Sequence, residues 1–176
     1  MVRLFRPELN MARFQGSMDR LGMDVSFDQE ELFKCILALL SVEKKWIPSE
    51  EGQSMYIRPW AMSLTRSFEL QAPKEFGIFC ALSPVGAYFG PKIVPINIYI
   101  ETRMDRGSQK SAMDYKLGSN YAPYVFSQRA ITNAGWHNIL WSANGIISEV
   151  NGCNMMFVVQ NSDNEVIFFT PQTKKK

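Results

Sequence analysis

Between positions 84 and 95 the chain places Pro84, Gly86, Gly90, Pro91 and Pro95. Proline lacks the backbone donor that a helix interior or a central strand needs, and glycine raises the entropy cost of holding either. No regular element crosses such a stretch, so the chain builds its elements on either side. The reading is a partial small α+β domain over 1–83, an interdomain linker over 84–95 and the N-terminal part of a larger domain over 96–176.

Before the break, Ser26 followed by Gln29, or Asp28 followed by Glu31, offers an N-cap arrangement. Leu32, Phe33, Ile36, Leu37, Leu39 and Leu40 then recur at helical spacing, and the run ends near Trp46-Ile47-Pro48. Residues 54–64 and 75–82 read as strands. Met1-Val2-Arg3-Leu4-Phe5-Arg6-Pro7 alternates apolar and basic residues like a further strand, so the chain is expected to start inside a fold. After the break, Ile96, Ile98 and Ile100 alternate with Asn97, Tyr99 and Glu101, the pattern of a half-buried strand. A helix is expected over 120–133 with Gly135 stopping it, then short strands over 139–142, 146–150 and 155–159. Asn161-Ser162-Asp163-Asn164 turns the last of these into 165–169, a hairpin. There is no internal repeat, and the class is mixed α+β in two unequal lobes.

Composition narrows the function. A chain of 176 residues buries roughly 70% of its unfolded surface as one domain, and 46% hydrophobic with 12% aromatic residues is globular, not disordered. Lys plus Arg total 19 against 17 acidic residues, with no basic stripe interleaved with aromatics, so no nucleic-acid partner is expected. The Lys174-Lys175-Lys176 run reads as a solvated tail. No stretch approaches the ~20 apolar residues of a spanning helix, and the N-terminus lacks a signal-peptide apolar region; no membrane role is expected. Cys35, Cys80 and Cys153 form no CxxC pair, which points to reduced thiols in an intracellular compartment. His137 is the single histidine; it excludes a zinc site built on two histidines and reads as a surface residue, so no metal is expected. GxxxxGK[ST] and GxGxxG are both absent. What remains is a set of lysines, arginines, tyrosines and carboxylates whose spacing alone decides nothing, and a lone lysine such as Lys116 is by default a solvated one.

One segment changes that. Tyr115-Lys116-Leu117-Gly118-Ser119-Asn120-Tyr121-Ala122-Pro123 resembles the segment around the Schiff-base lysine of branched-chain amino-acid aminotransferases. Leu4-Phe5-Arg6-Pro7, Leu9-Asn10-Met11 and Arg13, then Tyr56-Ile57-Arg58-Pro59, Ser83-Pro84-Val85-Gly86-Ala87-Tyr88-Phe89, and Glu149-Val150 with Asn154 are similar to further segments of that family, in its order and spacing. The resemblance implies a two-lobed fold-type IV architecture, present here in part, and pyridoxal 5'-phosphate as cofactor. It implies that Lys116 is the catalytic lysine, carrying the cofactor and then shuttling the substrate proton. A lysine that forms an imine must be available as the neutral amine. Glu149 would pair with the pyridine nitrogen, Tyr121 would donate to the cofactor's 3' oxygen, and Arg13 would hold the phosphate with its planar fork. Tyr56, Arg58, Leu70 and Tyr88 would line the substrate pocket, with Arg58 facing an ω-carboxylate. The implied partners are small amino-acid and 2-oxo-acid substrates and a second copy of the chain, in cytosol or mitochondrion.

The departures carry weight too. Where the family has Gly-Thr-Met after Glu-Val, this chain has Asn151-Gly152-Cys153, so Gly152 offers the substrate carboxylate a backbone amide without a hydroxyl, on a looser backbone. Ser111-Ala112-Met113-Asp114 replaces a glycine-rich approach to the lysine. Family members begin earlier and continue past Pro171 into a turn and helix start that hold the phosphate. Each missing charge-assisted hydrogen bond is worth about 1.5–3 kcal/mol, so the expectation is a truncated chain, weakly active or inactive alone. Three readings stay open: a transaminase moving the amino group of leucine, isoleucine or valine to 2-oxoglutarate; a non-catalytic fragment that associates with a full-length subunit; and another enzyme of the same fold, such as a D-amino-acid aminotransferase or an aminodeoxychorismate lyase.

Overall fold

The computed structural model describes residues 2–90, 92, 94–104, 106 and 112–170. Met1, Pro91, Ser111, Pro171 and the terminal lysine run named above lie outside them. Two compact units result, Met1–Val94 and Pro95–Lys176.

In the first unit, helix α1 spans Pro7–Arg20 and α2 spans Gln29–Val42. The strand expected at the N-terminus is not there: residues 2–4 are irregular and Pro7 opens α1. Proline's fixed φ and missing N–H suit the first helical turn, where that donor has no intrahelical partner, and this outweighs the alternation before it. Asn10 fastens the entry, its Nδ2 donating to the carbonyls of Phe5 at 3.1 Å and Arg6 at 2.9 Å. Gly22 closes α1 at φ +69°, where a Cβ would come within 2.9 Å of the Ala72 Cβ; the Met23 amide donates back to the Met18 carbonyl at 3.1 Å, satisfying an end group of the helix. Of the two caps offered for α2, Asp28 serves, accepting from the Glu30 amide at 3.0 Å.

Strands β1 (Ser54–Ser63) and β2 (Phe76–Val85) pair antiparallel, with Ile57 opposite Leu82 and Trp60 opposite Phe79. β2 runs three residues past the expected Leu82, because Pro84 and Val85 still pair with Met55 and Ser54. Alternation sends Met55, Ile57, Cys80 and Leu82 inward against Met11, Ile36 and Leu40. It leaves Tyr56, Arg58 and Trp60 exposed on the other face.

The second unit holds a three-stranded sheet in the order β3 (Ile98–Glu101), β4 (Asn138–Ala143), β5 (Ile146–Val150). β3 and β4 are parallel and β4 and β5 antiparallel. The parallel pair requires a crossover, and the chain supplies it through 3-10 turns at Ala112–Asp114, Gly118–Asn120 and Ala122–Tyr124 and helix α3 (Val125–Asn133). The expected helix from 120 thus starts later, with Pro123 in the 3-10 turn before it. Ile131 of α3 packs on Ile139 and Trp141, joined by Tyr99 and Tyr124. β3 faces opposite to what its isoleucines suggest: Ile98 and Ile100 are 40% and 56% exposed while Glu101 is buried. Arg103 makes this tolerable, donating from its backbone N and Nε to Glu101 Oε1 at 2.8 and 3.0 Å and from Nη2 to Oε2 at 2.9 Å. Asn144 and Gly145, both at positive φ, join β4 to β5 as the residues such a hairpin turn favours. A last hairpin pairs β6 (Phe157–Gln160) with β7 (Val166–Phe169). Asn161 Oδ1 holds its turn by accepting from the amides of Asp163 and Glu165, each at 2.9 Å.

Candidate functional site

Lys116 sits in the crossover, on a loop fixed by its own neighbours. Leu117 is buried, and Asn120, also buried, donates from Nδ2 to the carbonyls of Ala112 at 2.8 Å and Tyr115 at 2.9 Å. The amides of Leu117 and Asn120 close onto the carbonyls of Tyr115 and Leu117, both at 3.0 Å. These bonds satisfy backbone groups that a loop would otherwise leave to water. Lys116 is therefore exposed but held: its Nζ lies 2.6 Å from Tyr121 Oη and 4.3 Å from the centre of that ring.

Glu149 reaches the same neighbourhood from β5, where it pairs with Trp141. Its half-exposed carboxylate lies 3.7 Å from Arg106, through Oε2 and Nε. The Arg106 guanidinium also stacks over Tyr121, 4.9 Å from the ring centre, and stands 5.4 Å from that of Tyr124. One buried cation thus joins two of the residues that the resemblance singled out. Gly152 lies in the turn after β5 at φ +71°, beside a bridge between Val150 and Cys153.

The other candidates belong to the first unit. Arg13 lies in mid-helix α1, exposed, its Nη2 donating to Asn10 Oδ1 at 2.6 Å. Tyr56 and Arg58 share the outer face of β1, the guanidinium 5.2 Å from the tyrosine ring centre. Leu70 stands fully exposed in the loop between β1 and β2, and Tyr88 is exposed with its edge against Phe89, ring centres 4.9 Å apart. His137 is exposed, its Nδ1 accepting from the Asn97 amide at 3.1 Å, where it ties the start of β4 to the approach of β3.

Arg106 joins the site without any mark in the sequence, where an arginine outside a periodic segment reads as solvated. The signal that could have led to it is Asn151, already visible as a departure from the family pattern. Asn151 Oδ1 accepts from Arg106 Nη1 and, at 2.8 Å, from the Trp141 indole N–H.

A lysine amine lies against a tyrosine hydroxyl, and one buried guanidinium joins that tyrosine ring to a carboxylate, so an amine, a phenol and an acceptor share one neighbourhood. The family description amino-transferase class IV matches residues 2–175. The cytosolic branched-chain-amino-acid aminotransferase of Rattus norvegicus is 33% identical over 173 residues, 97% of this chain and 42% of that protein. The mitochondrial branched-chain-amino-acid aminotransferase of Bos taurus is 35% identical over 173 residues, 97% of this chain and 44% of that protein. The chain spans a little under half the length of these curated relatives. Among solved structures, a branched-chain amino acid aminotransferase from T.th., crystallised with pyridoxamine 5'-phosphate, superposes with a TM-score of 0.72 at 24% identity, covering 88% of this chain and 50% of that one. The fold is accordingly part of the fold-type IV architecture that the Lys116 segment led one to expect. Matched across nearly its whole length, the chain belongs to the class IV amino-transferase family.

Proposed function

We propose that the chain serves transamination of branched-chain amino acids, with leucine, isoleucine or valine as amino donor, 2-oxoglutarate as acceptor, and pyridoxal 5'-phosphate as cofactor. The observation that carries this reading is the 2.6 Å contact between Lys116 Nζ and Tyr121 Oη, with Glu149 linked to Tyr121 through Arg106. The names of the relatives support the substrate class, and the pyridoxamine 5'-phosphate that accompanies the similar solved enzyme supports the cofactor.

When bound, the cofactor supplies an aldehyde carbon and a pyridine ring that accepts electron density. Lys116 would hold it through its amine and, with that amine free again, would carry the proton from the substrate Cα to the carbon that was the cofactor's aldehyde. Glu149 would accept a hydrogen bond from the ring N–H, and a carboxylate there favours the protonated ring nitrogen. Tyr121 would donate to the phenolic oxygen. Gly152 would offer its amide to the substrate carboxylate, its positive φ being one that glycine adopts without strain. The roles that the resemblance implies for Arg13, Tyr56, Arg58, Leu70 and Tyr88 in the first unit, and for a second copy of the chain as partner, form part of the same proposal.

The test is optical. Purified chain mixed with pyridoxal 5'-phosphate is expected to give a yellow, borohydride-bleachable adduct that Lys116→Ala abolishes. No adduct in the unmodified chain would overturn the reading. Amino transfer from L-leucine, set against D-alanine, then tests the substrate class, and Arg58→Ala is expected to impair 2-oxoglutarate more than the branched-chain 2-oxo acids.

A further inference from the structure

Arg106 is 3% exposed, yet the roles proposed above leave it unused. Among the described residues its buried Nε has no hydrogen-bond partner, and it faces Glu149 Oε2 at 3.7 Å. A guanidinium is always charged and carries five donors, and burying one is strongly unfavourable unless opposite charge and acceptors surround it. At 3% exposure it presents almost no free surface, and its contacts run to Asn151, Glu149, Tyr121 and Tyr124.

Those neighbours form an ordered series. Asn151 is held from several directions: its amide donates to the Ile139 carbonyl at 3.1 Å and its carbonyl accepts from Asn138 Nδ2 at 2.9 Å. Its Nδ2 donates to Gln128 Oε1 on α3 at 2.9 Å, and its Oδ1 takes the Trp141 indole N–H at 2.8 Å. That same oxygen accepts from Arg106 Nη1. Arg106 in turn faces the Glu149 carboxylate and covers the Tyr121 ring. The position of Asn151 is a glycine in the family pattern that Glu149-Val150 resembles, and a glycine has no side chain with which to anchor anything.

We infer that Arg106 is a positioning residue that sets Glu149 and Tyr121 toward the cofactor ring, and that Asn151 is its anchor. The inference rests on the proposed function for the word cofactor, but the clamp itself does not. Helix α3 and strand β4 fix Asn151, Asn151 fixes the guanidinium, and the guanidinium fixes one carboxylate and one phenol ring. The planar fork matters because a lysine ammonium cannot stack on Tyr121 and bond Asn151 in the same way.

Two measurements test this on the full chain. Without cofactor, the arginine side-chain region of a proton–nitrogen spectrum is expected to show an exchange-protected Nε–H signal that Arg106→Lys removes and that Glu149→Gln and Asn151→Gly both shift. A missing signal, or one indifferent to Glu149→Gln, overturns the clamp. With cofactor, Arg106→Met and Glu149→Gln are each expected to weaken pyridoxal 5'-phosphate binding about tenfold, and the double variant little more than either alone, since residues acting through one another are not additive. A product of the two effects, roughly a hundredfold, would show that Arg106 does not act through Glu149. Arg106→Lys serves the same comparison if the methionine variant does not fold. If the unmodified chain binds no pyridoxal phosphate, the proposed function fails and the spectrum alone decides the clamp.

Discussion

The two units bury different things. In the first, Met11, Met18, Met23, Ile36 and Leu40 are the buried apolar residues, and Ser17 is the one buried polar residue among the described residues of that unit. In the second, Leu117, Ile131, Ile139, Trp141 and Val150 share the interior with Glu101, Arg106, Asn120, Asn138 and Ser142. Apolar packing is non-directional and tolerates repacking. Buried charges and amides demand particular partners at particular distances. Fixed geometry is therefore concentrated around Lys116, Tyr121 and Glu149, on a loop and a strand end that hydrophobic burial alone would leave loose.

Hollowing each core in turn puts that contrast at most risk. Trp141→Ala removes a fully buried ring and is expected to cost about 3–5 kcal/mol. It also takes the indole N–H from Asn151. Leu40→Ala is expected to cost about 2–5 kcal/mol by emptying the first core. Amide exchange should accelerate across β4 and β5 in the first variant and across α2 in the second; equal acceleration everywhere in both would erase the distinction between the units. Asn120→Ala comes next, because it strips the donor from two carbonyls, at about 1–3 kcal/mol for a buried group left unsatisfied. The expected sign is a lowered urea midpoint with a weakened cofactor adduct, and an unchanged adduct would show that the Lys116 loop holds without it. Asp28→Ala, which removes one exposed cap from α2, should cost about 1 kcal/mol and leave the adduct alone.

The smallest effect is read as a slope. The hydrogen bonds from Arg103 hold the Glu101 carboxyl below its ordinary value, against the opposing pull of burial. The folded pKa is the lower one, so the unfolded chain takes up its proton first as the solution is acidified. The stabilisation is complete above the ordinary carboxylate range and is lost as pH falls through the lowered folded value. Glu101→Gln should flatten that part of the acid-unfolding curve, and an unchanged slope would mean the pair contributes nothing.

Much of this was legible in the residues. Pro7, Asp28 and Gly135 act through local geometry: a fixed φ, a short acceptor, a positive φ. Each does so wherever it sits, although the alternation of Val2 to Arg6 hid the start of α1. The apolar period of Leu32 to Leu40 and the alternation of β1 were readable because one buried face selects every side chain on it. The Lys116 segment was readable as a family resemblance, not from its spacing.

Neighbouring residues alone thus settle the order and kind of most elements and the family of the Lys116 segment. Packing in three dimensions settles the rest: β3 turns its isoleucines outward and Glu101 inward, Asn151 becomes the anchor of a network, and Arg106 is buried between Glu149 and Tyr121. The environment that governs a charge comes from partners scattered along the chain, since Glu149 stands 43 positions beyond Arg106 and the two meet only when β5 has paired with β4.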